Sequence, residues 1–214
     1  MFLLAMVSGA TDAIGFVTLG GVFTSVMTGN MVLFGLGVAR GDSTLLANAA
    51  TAIVAFIVGC AIGARIAGRP ESSDPPWPRQ VTLAVLFELS LFALYAIGYE
   101  LADRGHPNSA EQPVLLALTA IGLGLQSAAV QRFGQSGLST TYMTGTLTTL
   151  VARLATGGSA KDAVPNLRLL IGLIGGAIAG GALAVYARPF APVFQLALLV
   201  AVLVIANLRN ERRA

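Results

Sequence analysis

Gly21-Val-Phe-Thr-Ser-Val-Met-Thr-Gly-Asn30 returns 116 residues later as Gly137-Leu-Ser-Thr-Thr-Tyr-Met-Thr-Gly-Thr146. Gly21, Thr24, Met27, Thr28 and Gly29 are identical to Gly137, Thr140, Met143, Thr144 and Gly145. Without a gap, the same offset pairs Gly41 and Ser43 with Gly157 and Ser159, and Gly59-Cys-Ala-Ile62 with Gly175-Gly-Ala-Ile178. Single identities between apolar segments are common, but an ungapped run carrying Met-Thr-Gly twice indicates an internal duplication. The repeats cover about 1–101 and about 113–208 of a single membrane domain, 1–214.

Composition says where such a duplicated chain resides. Of its 214 residues 55% are hydrophobic and 11% charged, with a mean hydropathy of +0.78. An ordinary soluble domain carries about 25% charged residues, so a water-exposed globule and a disordered chain are both excluded, and an integral membrane protein remains. The net charge of +3 marks loops rather than a nucleic-acid partner, because no basic cluster is present. One cysteine, Cys60, excludes internal disulfides and multi-cysteine metal sites, and one histidine, His106, excludes a histidine-based cluster. There is no nucleotide-binding glycine pattern, no nucleophile–base pair and no aromatic box. Neither an enzyme nor a cofactor or metal is therefore expected.

Apolar segments fall near 2–19, 21–39, 45–67, 81–101, 113–131, 138–155, 165–187 and 190–208. Each has about the length needed to cross a bilayer at 1.5 Å per residue. The first has no basic lead and reads as a spanning helix rather than a signal peptide. If all eight span, the two sides carry eight and five basic residues. If 21–39 and 138–155 instead dip in and return, ten basic residues share one side. Only Arg40, Arg104 and Arg188 then oppose them. The second arrangement satisfies the positive-inside rule far better. It gives an all-α polytopic protein of two inverted repeats, each with three spanning helices and a re-entrant or broken helix carrying Met-Thr-Gly. Both termini are then cytoplasmic.

Gly9-Ala-Thr-Asp-Ala13 followed by Phe23 and Met27-Thr-Gly-Asn30 resembles the signature of the YoaK-like bacterial membrane proteins, and the resemblance covers nearly the whole chain. It implies a multi-pass protein of the bacterial inner membrane and no established substrate. Function must come from the residues.

Gly29 and Gly145 lie near the middle of their segments, so a break there falls close to the bilayer centre. Backbone groups freed by such a break must face protein or a polar cavity. Thr24, Thr28 and Asn30 crowd the first copy, and Thr140, Thr144 and Thr146 the second. Broken helices of inverted repeats that meet at the midplane build transporter sites; two continuous helices packed through small polar residues are the plainer reading. Asp12 sits ten residues into its helix and should be protonated, paired or facing water, since an unpaired carboxylate there costs about 2.5–3.5 kcal/mol or more. It reads either as a proton or cation coupling group or as a packing bond to Thr11, Thr18 or the Thr28 region. Glu88, a third of the way along its segment, reads as interfacial, and Arg132 as snorkelling to the surface.

Gly59-x-x-x-Gly63 and Gly176-x-x-x-Gly180 are faces for close helix contact. Their related positions predict that 45–67 and 165–187 pack on each other, with a homo-oligomer interface as the second reading. These features favour a transporter or permease for a small solute, bound between the two broken helices with the lipid bilayer around it. A channel-like pore and a non-transporting structural or accessory protein are the alternatives.

Overall fold

The computed structural model describes residues 1–70, 75, 77–102, 107–108, 110–133, 143–157 and 160–211. Among the described residues it is all-helical. The helices are α1 (Phe2–Thr18), α2 (Met27–Arg40), α3 (Ser43–Ala67), α4 (Arg79–Leu101), α5 (Gln112–Ala129), α6 (Met143–Ala155), α7 (Ala160–Tyr186) and α8 (Ala191–Glu211). Short 3₁₀ turns at Val130–Phe133 and Arg188–Phe190 extend α5 and lead into α8. Among the described residues five stretches are long and apolar enough to cross a membrane: Ser43–Ala67, Arg79–Leu101, Gln112–Phe133, Ala163–Tyr186 and Arg188–Leu208. The apolar α1, at 17 residues, is about 26 Å long at 1.5 Å per residue. Large apolar side chains remain exposed along most of the helices, among them Ile57, Leu94, Ile171, Ile178 and Val204. Lipid tails suit that surface and water does not.

Glycine decides which helices touch. On α3, β-carbons at Gly59 and Gly63 would run into the backbone at Ile121 and Leu125 of α5, and one at Gly124 into that of Phe56. On α7, β-carbons at Gly176 and Gly180 would meet Met6 and Ala10 of α1, and one at Gly9 would meet Leu173. Gly59·Ile121 and Gly63·Leu125 rise together along α3 and α5, as Gly176·Met6 and Gly180·Ala10 do along α7 and α1, so α3 runs parallel to α5 and α7 parallel to α1. The glycine faces therefore close helices tightly, as their spacing suggests, but on other partners than expected. Segments 45–67 and 165–187 do not form a central pair; α3 packs chiefly on α5, and α7 on α1. Each glycine face meets a helix of the other half of the chain, whose small residues permit the same close approach.

These contacts sort the helix ends into two sides. A β-carbon at Gly20, just after α1, would meet Asn48 of α3 and Gln112 of α5. Gly98 near the end of α4 faces Leu115 of α5. The end of α1, the starts of α3 and α5 and the end of α4 thus share one side, here called the far side. Arg132 is buried and Nη1 donates to the carbonyl of Ala67, the last residue of α3. It does not snorkel. A guanidinium at a helix C-terminus satisfies carbonyls left without an intrahelical donor and opposes the dipole.

Candidate functional site

The connection between α1 and α2, residues 19–26, is non-helical. After Leu19 the chain turns through Gly20 and Gly21, with φ of 90° and 72°. Those values favour glycine, and at Gly20 the Asn48 side chain also fills the space a β-carbon would need. Val22 to Val26 then double back along α1 until Thr24 and Ser25 lie beside Asp12. That is six residues, or about 9 Å, before the end of α1 at Thr18. Here α2 begins.

Asp12 holds this arrangement. Its Oδ1 accepts hydrogen bonds from Thr24 N at 2.8 Å, Thr24 Oγ1 at 3.0 Å and Ser25 N at 2.7 Å. Its Oδ2 accepts from Ser25 Oγ at 2.6 Å. Asp12, Thr24 and Ser25 are buried. A carboxylate that meets two backbone N–H groups and two hydroxyls just before α2 pins, from a different helix, the residues that lead into it. The partners are Thr24 and Ser25. Thr11 and Thr18 instead donate back along α1, to the carbonyls of Val7 and Ile14.

Asn30 completes the support. Its Oδ1 accepts from Phe23 N at 2.9 Å, and its Nδ2 donates to Phe23 O at 2.6 Å. Both polar groups of one non-helical residue are thereby paired inside an apolar body, where an unpaired one is costly. Phe23 also stacks on Phe16, with ring centroids 5.0 Å apart.

The break falls earlier than the sequence pattern suggests. Gly29 is the third residue of α2 and takes no positive φ, so the chain does not turn there. A β-carbon at Gly29 would lie 3.2 Å from the Phe23 ring; the glycine leaves room for that ring. Met143, Thr144 and Gly145 likewise open α6. Thr24 and Asn30 join the Asp12 group, while Thr28 is exposed. In the second copy Thr146 is buried and Thr144 exposed, and Thr140 lies outside the described residues. The two Met-Thr-Gly helices pack chiefly on α3 and α7 respectively rather than on each other.

Further polar side chains lie at the same depth. Gln126 of α5 donates from Nε2 to Ser8 Oγ at 3.0 Å, and Gln195 of α8 donates to Thr11 Oγ1 at 2.8 Å. Glu88 of α4 is fully buried rather than interfacial. It is the tenth residue of a 23-residue helix, about 14 Å from the helix start. The signal for Gln195 is an amide in the interior of the apolar segment 190–208, since isolated polar residues in apolar spans face the bundle interior. Ser25 was readable only as one of several hydroxyls. Among the described residues no group of three His, Cys, Asp or Glu side chains suits a metal ion.

A family model described as "Protein of unknown function (DUF1275)" matches residues 1–206. The UPF0700 transmembrane protein YoaK of Bacillus subtilis (strain 168) is 35% identical over 151 residues, covering 70% of this chain. That match spans 63% of the relative's own length. No solved structure matches the chain. With nearly its whole length matched, this multi-pass membrane protein belongs to the DUF1275 family, the family of the YoaK-like transmembrane proteins.

Proposed function

We propose that the protein is a transporter or permease for a small solute, built from two inverted repeats whose Met-Thr-Gly helices begin inside the membrane. The observation that carries this reading is the Asp12–Thr24–Ser25 junction. It fixes a stretch of non-helical backbone, and with it the start of α2, well below the far side, and α2 then returns to that same side, where α3 begins. Non-helical backbone at membrane depth is tolerated where protein or a water-lined path satisfies it, and in transporters such half-helices surround the solute.

The inverted duplication draws support from matched packing. Phe56·Gly124, Gly59·Ile121 and Gly63·Leu125 join α3 to α5; Leu173·Gly9, Gly176·Met6 and Gly180·Ala10 join α7 to α1. Each α7 residue lies 117 positions after its α3 counterpart, and each α5 residue lies 115 after its α1 counterpart. One rotation exchanging the halves accounts for all three pairs, and α1 and α5 run in opposite directions. In this reading Asp12 holds the break rather than carrying a coupled proton, because four donors already occupy its oxygens.

The test is flux into liposomes containing the purified chain, assayed on a panel of small neutral, anionic and cationic solutes with and without a pH gradient. Gradient-driven accumulation of one class, lost in Asp12→Ala, is the expected result. Voltage-driven flux without a coupling ion would make the protein a pore. No flux of any solute would leave an accessory protein.

A further inference from the structure

Asp12 and Glu88 are the two buried carboxyls among the described residues, and their surroundings are opposite. Asp12 is engaged on both oxygens by groups that hold the backbone in place. Glu88 is fully buried and neither of its oxygens has a hydrogen-bond partner among the described residues. Its Cγ would lie 3.5 Å from a β-carbon at Gly122 of α5. Gly122 is one turn before Gln126, and Gln126 bonds Ser8, one turn before Asp12. Because α1 and α5 run in opposite directions, Glu88 and Asp12 stand at one depth near the middle of the bundle.

Among the described residues no opposite charge stands beside Glu88. Helix α4 packs on α5, α8 and α3. Helix α5 carries no ionisable side chain; α8 carries only Arg209 and Glu211, at its last turn; α3 carries Cys60 and Arg65, toward its end. A carboxyl in such surroundings is accommodated as the neutral acid, and its ionisation requires water or a cation to reach it. Toward the far side the same face of α4 presents Tyr95 and Tyr99, both buried, with ring centroids 5.5 Å apart. The Tyr95 hydroxyl has no partner among the described residues, nor has the buried Nδ2 of Asn48, which lies beside Gly20 at the far end. Buried polar atoms without protein partners are the groups that bind internal water.

We propose that Glu88 is a proton-exchanging carboxyl, reached from the far side along the Tyr95–Asn48 line. The exchange is a transfer of one proton between the Glu88 carboxyl and water, with no other bond changed. Its use as the coupling step rests on the transport reading; the existence of the site does not.

Infrared spectroscopy of the full chain in lipid bilayers tests the site directly. At neutral pH the wild type should show the carbonyl stretch of a neutral carboxylic acid. The band should be lost in Glu88→Gln and retained in Asp12→Asn. Carbon-13 labelling of glutamate should shift it in the wild type, which assigns the band to a glutamate and not to Asp12 even if Glu88→Gln does not fold. Transfer to D₂O should move the band as the proton exchanges, and Tyr95→Phe should slow that movement severalfold. Absence of the band, its retention in Glu88→Gln, or a band that never exchanges in D₂O would overturn the proposal. Exchange at Glu88 without flux of any solute would overturn the transport reading alone. A pH-driven flux unchanged in Glu88→Gln would overturn the coupling step and leave the site standing.

Discussion

Asp12 and Asn30 turn an energetic problem into a local structure. Between Leu19 and Val26 the chain forgoes helical hydrogen bonds inside an apolar body, and these two side chains satisfy Phe23, Thr24 and Ser25. Asp12→Ala would leave two buried N–H groups and two hydroxyls without their acceptor. At about 1–3 kcal/mol for each unsatisfied donor, the two N–H groups alone predict a loss of about 2–6 kcal/mol. Asp12→Asn should behave differently. Its Oδ1 can keep three of the four bonds, and its Nδ2 can donate to the Ser25 hydroxyl, which rotates to accept. Only the charge at the α2 N-terminus is lost, about 0.3–1 kcal/mol. Thermal denaturation in detergent should rank wild type, Asn and Ala in that order. Equal melting of Asn and Ala would show that charge, not hydrogen bonding, holds the break. The depth of Asp12 and the polar crowding after it were legible in the sequence. The partners were not, because several hydroxyls within a few residues are equivalent until the turn at Gly20 and Gly21 sets which of them swing back to α1.

At the scale of the helix, six of the eight apolar segments match helices to within about five residues, being apolar runs ended by glycine, proline or charge. By contrast, α2 begins only at Met27, inside 21–39, and residues 138–142 lie outside the described ones. What escaped was how they pair. A small-residue face states that something approaches closely but not what, and both α3 and α7 chose a helix of the other half. The position of the break is not legible either: Met-Thr-Gly reads as the break, yet at both of its positions it opens a helix. Neighbouring glycines on α7 give a clean test of the pairing. A β-carbon at Gly176 would collide with the backbone at Met6, whereas one at Gly175 meets nothing within 4 Å. Gly176→Leu should therefore destabilise the protein by about 1–3 kcal/mol or more through forced separation of α1 and α7. Gly175→Leu should leave the melting temperature nearly unchanged, its side chain facing outward. A similar loss in both would mean that the α1–α7 contact is not the close one.

For the molecule as a whole, the arrangement of charge relative to the helix ends carries the orientation. The ends of α3 and α5 and the starts of α4 and α7 share the near side with Met1, and Arg65, Arg69, Arg79, Arg132 and Arg168 lie in or next to them. Arg40 and Arg188 lie at the far side, where α2 meets α3 and α7 meets α8. Arginine and lysine are retained on the cytoplasmic side, so the near side, with the N-terminus, should be cytoplasmic. The inverted arrangement makes a sharper claim, because it requires the chain to emerge from α2 on the same side as from α1 and from α6 on the opposite side. Single cysteines on a Cys60→Ala background decide it in intact cells with a membrane-impermeant thiol reagent. Cysteines at Asp42 and Pro107 should label from outside, and ones at Pro70 and Gly157 only after the membrane is opened. Asp42 and Gly157 carry the decision, since each follows a Met-Thr-Gly helix: if each half crossed the membrane with the same orientation, they would label together. Labelling on opposite sides is the outcome that only an odd number of crossings between them permits. With α3, α4 and α5 spanning, that number is odd when α6, like α2, re-enters.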